Sequence, residues 1–174
     1  MIFQRLLGPK PAKAAGQRLY AAAVAQARTP ALYADLGAPD TASGRFEVYT
    51  LHVILLLERL RGEGPGVAEA SQALFDTYLS GLDNGLRELG VGDLSVGKTM
   101  RKMAEAFYGR AQGYDSAAAA LPDLAPLEEL LSRTVFDAGQ PPARLAAYVA
   151  AARQGLAGQT LAALLDGKPA WPAP

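Results

Sequence analysis

The sequence predicts an all-α protein, a single compact helical domain of about six to eight helices with a buried central helix near residues 43–61. Three observations support this prediction. Long segments place apolar residues at the three- and four-residue spacing of a helix, and stretches rich in glycine and proline separate them. No series of alternating apolar and polar residues indicates strands. The length of 174 residues fits one domain.

The composition excludes several kinds of site. The chain has no cysteine and one histidine, His52, so disulfides, thiolate nucleophiles and metal sites built from cysteine or several histidines are excluded. No acidic cluster has the regular spacing of a calcium loop. The formal net charge is zero, which argues against a surface that binds nucleic acid throughout. We expect no catalytic residue, no cofactor, no metal and no DNA partner.

The N-terminal part is basic, and no acidic residue precedes Asp35. Its cations are Arg5, Lys10, Lys13, Arg18 and Arg28. The pattern of residues 1–28 predicts either contact with an anionic membrane surface or RNA, or a solvated first helix over about 12–28. No secretory signal is recognisable. We expect residues 1–30 to form a basic arm and first helix, in one folded unit with the helical domain of residues 31–174.

Residues 30–61 are predicted to form a short helix and then the buried central helix. Pro30 can open the short helix, and Gly37 can close it. Thr41 or Ser43 offers an N-cap oxygen for the long helix. Apolar side chains lie nearly all round that helix, which is typical of a helix at the centre of a soluble domain. Three charged residues are expected to fix the entry of the chain into it: Asp40, Arg45 and Glu47.

Two long helices are predicted next, over about 67–89 and 95–119, and three shorter ones near 126–137, 141–156 and 158–166. The second long helix carries an apolar stripe, which is either plain core or an adaptable surface for a partner. Of the adjacent pair Phe107 and Tyr108, we expect Tyr108 to be the exposed one. Trp171 is expected to pack against the fold or to fray. The stripe consists of Met100, Met103, Phe107, Ala111 and Tyr114.

Residues Gly92–Thr99 match Gly-x-x-x-x-Gly-Lys-[Ser/Thr], the pattern of a phosphate-binding loop. Such a loop needs a buried strand before it and a second strand that supplies a carboxylate for magnesium. The residues before it have helical spacing, and no later segment predicts a strand ending in aspartate. We therefore interpret the segment as a corner between two helices.

This corner predicts a role for each of its residues. Gly90 is expected to end the first helix in the left-handed conformation. Val91 and Leu94 would fill the corner with apolar side chains. Asp93 or Ser95 would cap the second helix.

The second helix begins with Gly97 and a basic stripe. Gly97 is expected to let a neighbouring helix approach closely. Lys98, Arg101 and Lys102 share one face and oppose the helix dipole, which disfavours cations there by a few tenths of a kcal/mol. The stripe is consistent with either an anionic partner or a solvated face.

Four segments occur in this order in the chain: LGAPDT, GRFEVYTLH, LRELGVGDLSVGK and MAEAFYGR. Together they resemble the ubiquinol–cytochrome c chaperone family, whose members are assembly factors for respiratory complex III in mitochondria and related bacteria. The resemblance covers about residues 32–117, with looser agreement in LAAYVAAA and LAALLDGKPAW.

The resemblance implies an all-helical, non-catalytic protein that binds newly made cytochrome b or its segments. It also implies a small helical partner protein and the ribosome as further partners. For this chain it implies a bacterial factor, peripheral at the cytoplasmic face of the inner membrane, because the long N-terminal extension expected of a mitochondrial precursor is absent.

We expect six residues to contact a partner: Lys98, Arg101, Lys102, Met103, Tyr108 and His52. For His52 the alternative is a core residue with one hydrogen bond to the 40–45 loop, since its apolar neighbours disfavour a charged imidazole. Two other functions stay open. One is a helical carrier of an apolar ligand such as haem or quinone around His52, and the other is nucleotide binding through Gly92–Thr99.

Overall fold

The computed structural model describes residues 11–88, 90, 92–136 and 142–174, and only the backbone of Asp93 and Leu94. These ranges form eight helices and no strand, which confirms the all-α prediction. The helices are α1 (Pro11–Ala27), α2 (Ala31–Ala34), α3 (Ala42–Arg59), α4 (Pro65–Glu88), α5 (Asp93–Ala118), α6 (Ala125–Thr134), α7 (Ala143–Ala157) and α8 (Leu161–Leu165).

Helix α3 runs through the core, as predicted. Thr41 is its N-cap, and the Thr41 side-chain oxygen accepts a hydrogen bond from the Gly44 backbone N–H at 3.1 Å. Every residue from 50 to 56 is buried. Helices α1, α4 and α7 all pack against α3, so its nearly continuous apolar surface is covered from several sides.

Helices α1 and α4 approach each other closely because glycine occupies their contact. A Cβ added to Gly16 would lie 2.6 Å from the Cβ of Ala73 and from the backbone nitrogen of Leu74. Gly81 of α4 faces the Tyr20 hydroxyl of α1 with equally little room. The absence of a side chain lets the backbones of α1 and α4 approach each other at Gly16, and at Gly81 it leaves room for the Tyr20 ring.

The C-terminal helices are fastened to the core by two guanidinium groups. Arg59 donates to the backbone oxygens of Leu156 at 2.9 Å and Gln159 at 3.1 Å, at the end of α7. Arg18 donates to the backbone oxygen of Leu165 at 2.8 Å and 3.1 Å, at the end of α8. The last carbonyls of a helix have no intrahelical partner and carry partial negative charge, which explains why cations cap them.

The C-terminal tail also packs against the core. The centroid of the Trp171 indole lies 5.1 Å from that of the His52 imidazole, in an edge-to-face arrangement. This confirms the prediction that Trp171 packs against the fold. Within the described part of the chain, every helix falls short of the length and apolarity that crossing a bilayer requires.

Candidate functional site

The corner between α4 and α5 is helical on both sides. Helix α4 ends at Glu88, Gly90 has φ of +80°, and α5 begins at Asp93. The left-handed conformation predicted for Gly90 is therefore confirmed. Most of the Gly92–Thr99 segment forms the first turns of α5, and the described residues before it are helical. The strand that a phosphate-binding loop requires is replaced here by a helix, so this segment lacks the geometry that cradles a nucleotide.

Two details of the corner differ from the prediction. The N-cap position is taken by Gly92, and no side chain caps the helix there. Gly97 is exposed, and a Cβ added to it would meet nothing within 4 Å, so it serves no close helix contact. Helix α5 begins two residues earlier than predicted, and Gly97 lies on its solvent-facing side. Val91 and the Leu94 side chain lie outside the described residues.

The α5 surface, defined here as Lys98, Arg101, Lys102, Met103 and Tyr108, contains five of the six predicted contact residues. The three cations are exposed, and the described residues give none of them an ion pair. Tyr108 is 62% exposed, and among the described residues it is the one large hydrophobic side chain classed as exposed. The surface therefore combines positive charge with an uncovered aromatic ring.

Neighbouring rings hold Tyr108 in place. Its centroid lies 5.7 Å from that of Phe75 in α4 and 5.9 Å from that of Phe107. Phe107 itself is buried, and Met100 and Met103 are partly buried against the core. The apolar stripe of α5 is thus mainly core, and Tyr108, which lies beside the stripe, is the residue most open to a partner.

His52 is fully buried, and both of its ring nitrogens are hydrogen-bonded inside the protein. Nδ1 lies 2.7 Å from the backbone oxygen of Val48. Because a carbonyl can only accept, Nδ1 carries the proton and Nε2 is the acceptor. The Tyr148 hydroxyl donates to Nε2 at 2.9 Å and accepts from the Gln26 side-chain amide at 2.9 Å.

This arrangement makes His52 a neutral core residue. Burial lowers the pKa of His52 to about 4. The expected bond to the 40–45 loop was wrong, because the ring points toward α7 and bonds Tyr148. With no exposed surface and no free nitrogen, His52 offers neither a contact for a partner nor an open position for a haem iron.

The charged residues around the start of α3 divide into two pairs. Asp40 and Arg45 form an exposed ion pair across the helix entry, as expected. Glu47 does not take part, because it is buried and pairs with Arg110 of α5. The Arg110 guanidinium also lies 5.9 Å from the centre of the Phe46 ring, a cation–π contact. Glu47 therefore joins α3 to α5 instead of fixing the loop.

A cleft of about 890 Å³ lies between α1, α2 and the first half of α3, and the sequence analysis did not predict it. We call it the aromatic cleft. Its aromatic wall consists of Tyr20, Tyr33, Phe46 and Tyr49, and Arg28 and Arg45 contribute to its lining. The sequence feature that could have indicated this cleft is the presence of at least one aromatic residue in each of the three successive helices α1, α2 and α3. Periodicity cannot show that such residues share one cavity, because their approach depends on how the helices pack.

Comparisons with known proteins agree with this architecture. The crystal structure described as the Cbp3 homolog from Brucella abortus is similar, with a TM-score of 0.84 and 36% sequence identity over 99% of this chain and 95% of that chain. The ubiquinol-cytochrome-c reductase complex assembly factor 1 of Xenopus laevis is 26% identical over 103 residues, which are 59% of this chain and 52% of the relative. The match therefore spans about half the length of that relative.

The sequence profile of the ubiquinol-cytochrome C chaperone family matches residues 34–171, well over half of the chain. This range includes the α5 surface, His52 and the whole α3 part of the aromatic cleft. The resemblance found in the sequence is thus confirmed, and the chain belongs to the ubiquinol-cytochrome C chaperone family.

Proposed function

We propose that this chain is a non-catalytic assembly chaperone for ubiquinol–cytochrome c reductase, respiratory complex III, and that its client is newly made cytochrome b or a segment of it. The observation that carries the proposal is the α5 surface, where an exposed tyrosine lies beside three cations to which the described part of the chain gives no ion pair. Family membership and the names of the similar proteins support the assembly role.

The α5 surface suits the end of an apolar segment that has left the membrane or not yet entered it. Covering an exposed aromatic ring contributes about 1.5–3 kcal/mol, so a client that packs on Tyr108 gains from contact with a ring that is already held in position. Lys98, Arg101 and Lys102 would face the acidic loops or headgroups that flank such a segment.

The proposed place of action is the cytoplasmic face of a bacterial inner membrane, with the chain attached peripherally. Residues 1–28 would supply further cations for an anionic membrane surface. Among the described cations of this range, Arg18 is bound to the end of α8, while Lys13 and Arg28 are exposed. A small helical partner protein and the ribosome are further candidate partners.

Photocrosslinking in cells tests the client directly. A photoreactive residue is placed at Tyr108 and, separately, at Lys102, with Ala147, an exposed residue of α7, as the matched control position. We expect cytochrome b adducts from positions 108 and 102 and none from 147. Adducts that contain only ribosomal or other proteins would contradict cytochrome b as the client.

A deletion strain tests the assembly role. We expect it to lose assembled complex III while it keeps the cytochrome b transcript, and to recover the complex when the intact gene is returned. Normal ubiquinol–cytochrome c reductase activity in the deletion strain would remove the proposal.

A further inference from the structure

We propose that the aromatic cleft binds an anionic amphiphile, a molecule with an apolar chain and one negatively charged head group, as fatty acids and acidic lysophospholipids have. The site is distinct from the α5 surface, and the proposal does not depend on the identity of the client.

The size and walls of the cleft suit an apolar chain. Its volume of about 890 Å³ lies within the range of about 300–1,000 Å³ that is typical of small-molecule sites. Val24 and Leu82 line it together with the aromatic wall. The Arg110 guanidinium lies 5.9 Å from the centre of the Phe46 ring, a contact that helps to hold this part of the wall in place. Displacing water from such walls favours the binding of an apolar chain.

The charges of the lining favour one negative head group. Three charged residues line the cleft, and all three are exposed, which places them at its opening: Arg28, Asp40 and Arg45. Asp40 and Arg45 neutralise each other in an ion pair. The described residues give Arg28 no ion pair, so the opening carries one uncompensated positive charge. A monoanionic head group is the complement of this charge.

A buried hydroxyl in the wall adds a hydrogen-bond donor. The Tyr49 hydroxyl is shielded from solvent, and its polar neighbour is the Tyr20 hydroxyl, whose ring meets the Tyr49 ring edge-on at 6.0 Å. The Tyr33 hydroxyl, by contrast, already donates to the backbone oxygen of Ala27 at 2.6 Å. An ester carbonyl below the head group of a ligand would offer the Tyr49 hydroxyl an acceptor of ordinary geometry.

Three amphiphiles distinguish the contribution of the Arg28 charge from that of the Tyr49 hydroxyl. Lysophosphatidylglycerol has the anionic head group and an ester carbonyl, oleate has the anion only, and monoolein has the ester carbonyl without charge. Each is titrated below its critical micelle concentration by isothermal calorimetry. We expect saturable binding with one site, tightest for lysophosphatidylglycerol.

Variants locate the site. Arg28→Gln is expected to weaken the binding of lysophosphatidylglycerol and oleate by about tenfold and to leave the affinity for monoolein unchanged. Tyr49→Phe is expected to weaken the binding of the two esters, lysophosphatidylglycerol and monoolein, and to leave the affinity for oleate unchanged. Ala34→Trp, at an exposed position of the lining, should fill the cleft and abolish binding of all three. Arg144→Gln and Ala147→Trp, both at exposed positions of α7, are the matched controls.

Three outcomes would overturn the proposal. The first is the absence of saturable binding by a protein whose circular dichroism is native. The second is equal affinity for lysophosphatidylglycerol and monoolein together with no effect of Arg28→Gln. The third is saturable binding of lysophosphatidylglycerol that survives Ala34→Trp, which would place the binding site elsewhere. Because the probes are free amphiphiles, each result is independent of whether cytochrome b is the client.

Discussion

The Nε2 atom of His52 lies 2.9 Å from the hydroxyl oxygen of Tyr148, and 96 residues separate the two in sequence. The bond joins α3 to α7, and Gln26 of α1 donates to the same hydroxyl. The single histidine of the chain therefore links three helices at one buried point. Since each partner depends on the others for its hydrogen bonds, the group acts as a unit in the stability of the core.

Replacing Tyr148 by Phe is expected to lower the free energy of unfolding by about 1–3 kcal/mol, because it leaves buried His52 Nε2 without a donor and Gln26 without an acceptor. Urea denaturation followed by circular dichroism measures the change. Tyr108→Phe removes an exposed hydroxyl and serves as the control, for which we expect no loss. Equal stability of the two variants would contradict the role given to the Tyr148 hydroxyl.

The free energy of unfolding is expected to decrease as the pH is lowered from about 6.5 to 4, because His52 is buried in its neutral form. Its pKa is 6.5 in the unfolded chain and about 4 when buried, so the unfolded state binds more protons in this range. The contribution of neutral His52 to the free energy of unfolding is fully present above pH 6.5. It decreases by up to about 1.4 kcal/mol per pH unit as the pH falls toward 4. Carboxylates titrate in the same range, so the measured quantity is the difference between the wild type and His52→Gln. The same slope in both would contradict this prediction.

Replacing Gly16 by Leu is expected to destabilise the protein by about 1–3 kcal/mol, because the new side chain would meet the backbone of α4 at Leu74. Gly109→Ala is the matched control, since a Cβ added there meets nothing within 4 Å. That change should raise the stability by about 0.5–1 kcal/mol, the usual gain when alanine replaces glycine inside a helix. Thermal unfolding of both variants gives the comparison, and a destabilised Gly109→Ala with an unaffected Gly16→Leu would reverse our account.

Removing one member of the ion pair between Glu47 and Arg110 is expected to lower the free energy of unfolding strongly. Arg110→Met leaves the buried Glu47 carboxylate without its cation, which costs about 3–5 kcal/mol of unfolding free energy. The double variant Glu47→Leu with Arg110→Met removes both charges and should recover a large part of that loss. A double-mutant cycle in urea measures the coupling. Simple additivity of the two single changes would indicate that the pair does not join α3 to α5 energetically.

Reversing two charges of the α5 surface is expected to weaken client binding without unfolding the domain. For Lys98→Glu with Arg101→Glu, we expect the cytochrome b that copurifies from cells to fall by about tenfold, because both side chains are exposed and have no ion pair with any described residue. The control is Arg133→Glu with Arg144→Glu, the same change of charge at exposed positions on α6 and α7. Equal losses for both double variants would indicate a general effect of net charge and contradict a role of the α5 surface.

The helices and their burial were largely predictable from local pattern. The apolar residues nearly all round α3 predicted a buried helix, and every residue from 50 to 56 is buried. Tyr108 was predicted to be exposed from its angle to Phe107, and the structure has the two residues at 62% and 4% exposure. Such predictions succeed because helical periodicity places each side chain on a definite face, and the apolar face turns inward.

The partners of the polar residues were not predictable in the same way. Glu47 was expected to fix the start of its own helix, yet its partner, Arg110, is 63 residues away. His52 was expected to bond a nearby loop, and it bonds Tyr148 of α7. Helical spacing describes neighbours three or four residues apart and carries no information about contacts between distant segments.

By itself, the sequence determined the helical class, the order of the helices, the left-handed Gly90, the exposed cations of α5 and the family to which the chain belongs. It left Thr41 and Ser43 open as the N-cap of α3, and the structure has Thr41 there. Only the tertiary structure decided that His52 is closed to any partner and that aromatic residues of α1, α2 and α3 line one cleft. The physical reason is the distance along the chain over which each effect acts. Propensity, capping and periodicity act within a few residues, whereas a shared cavity or a buried hydrogen bond between helices depends on how those helices cross, which close contacts such as Gly16 against α4 help to set.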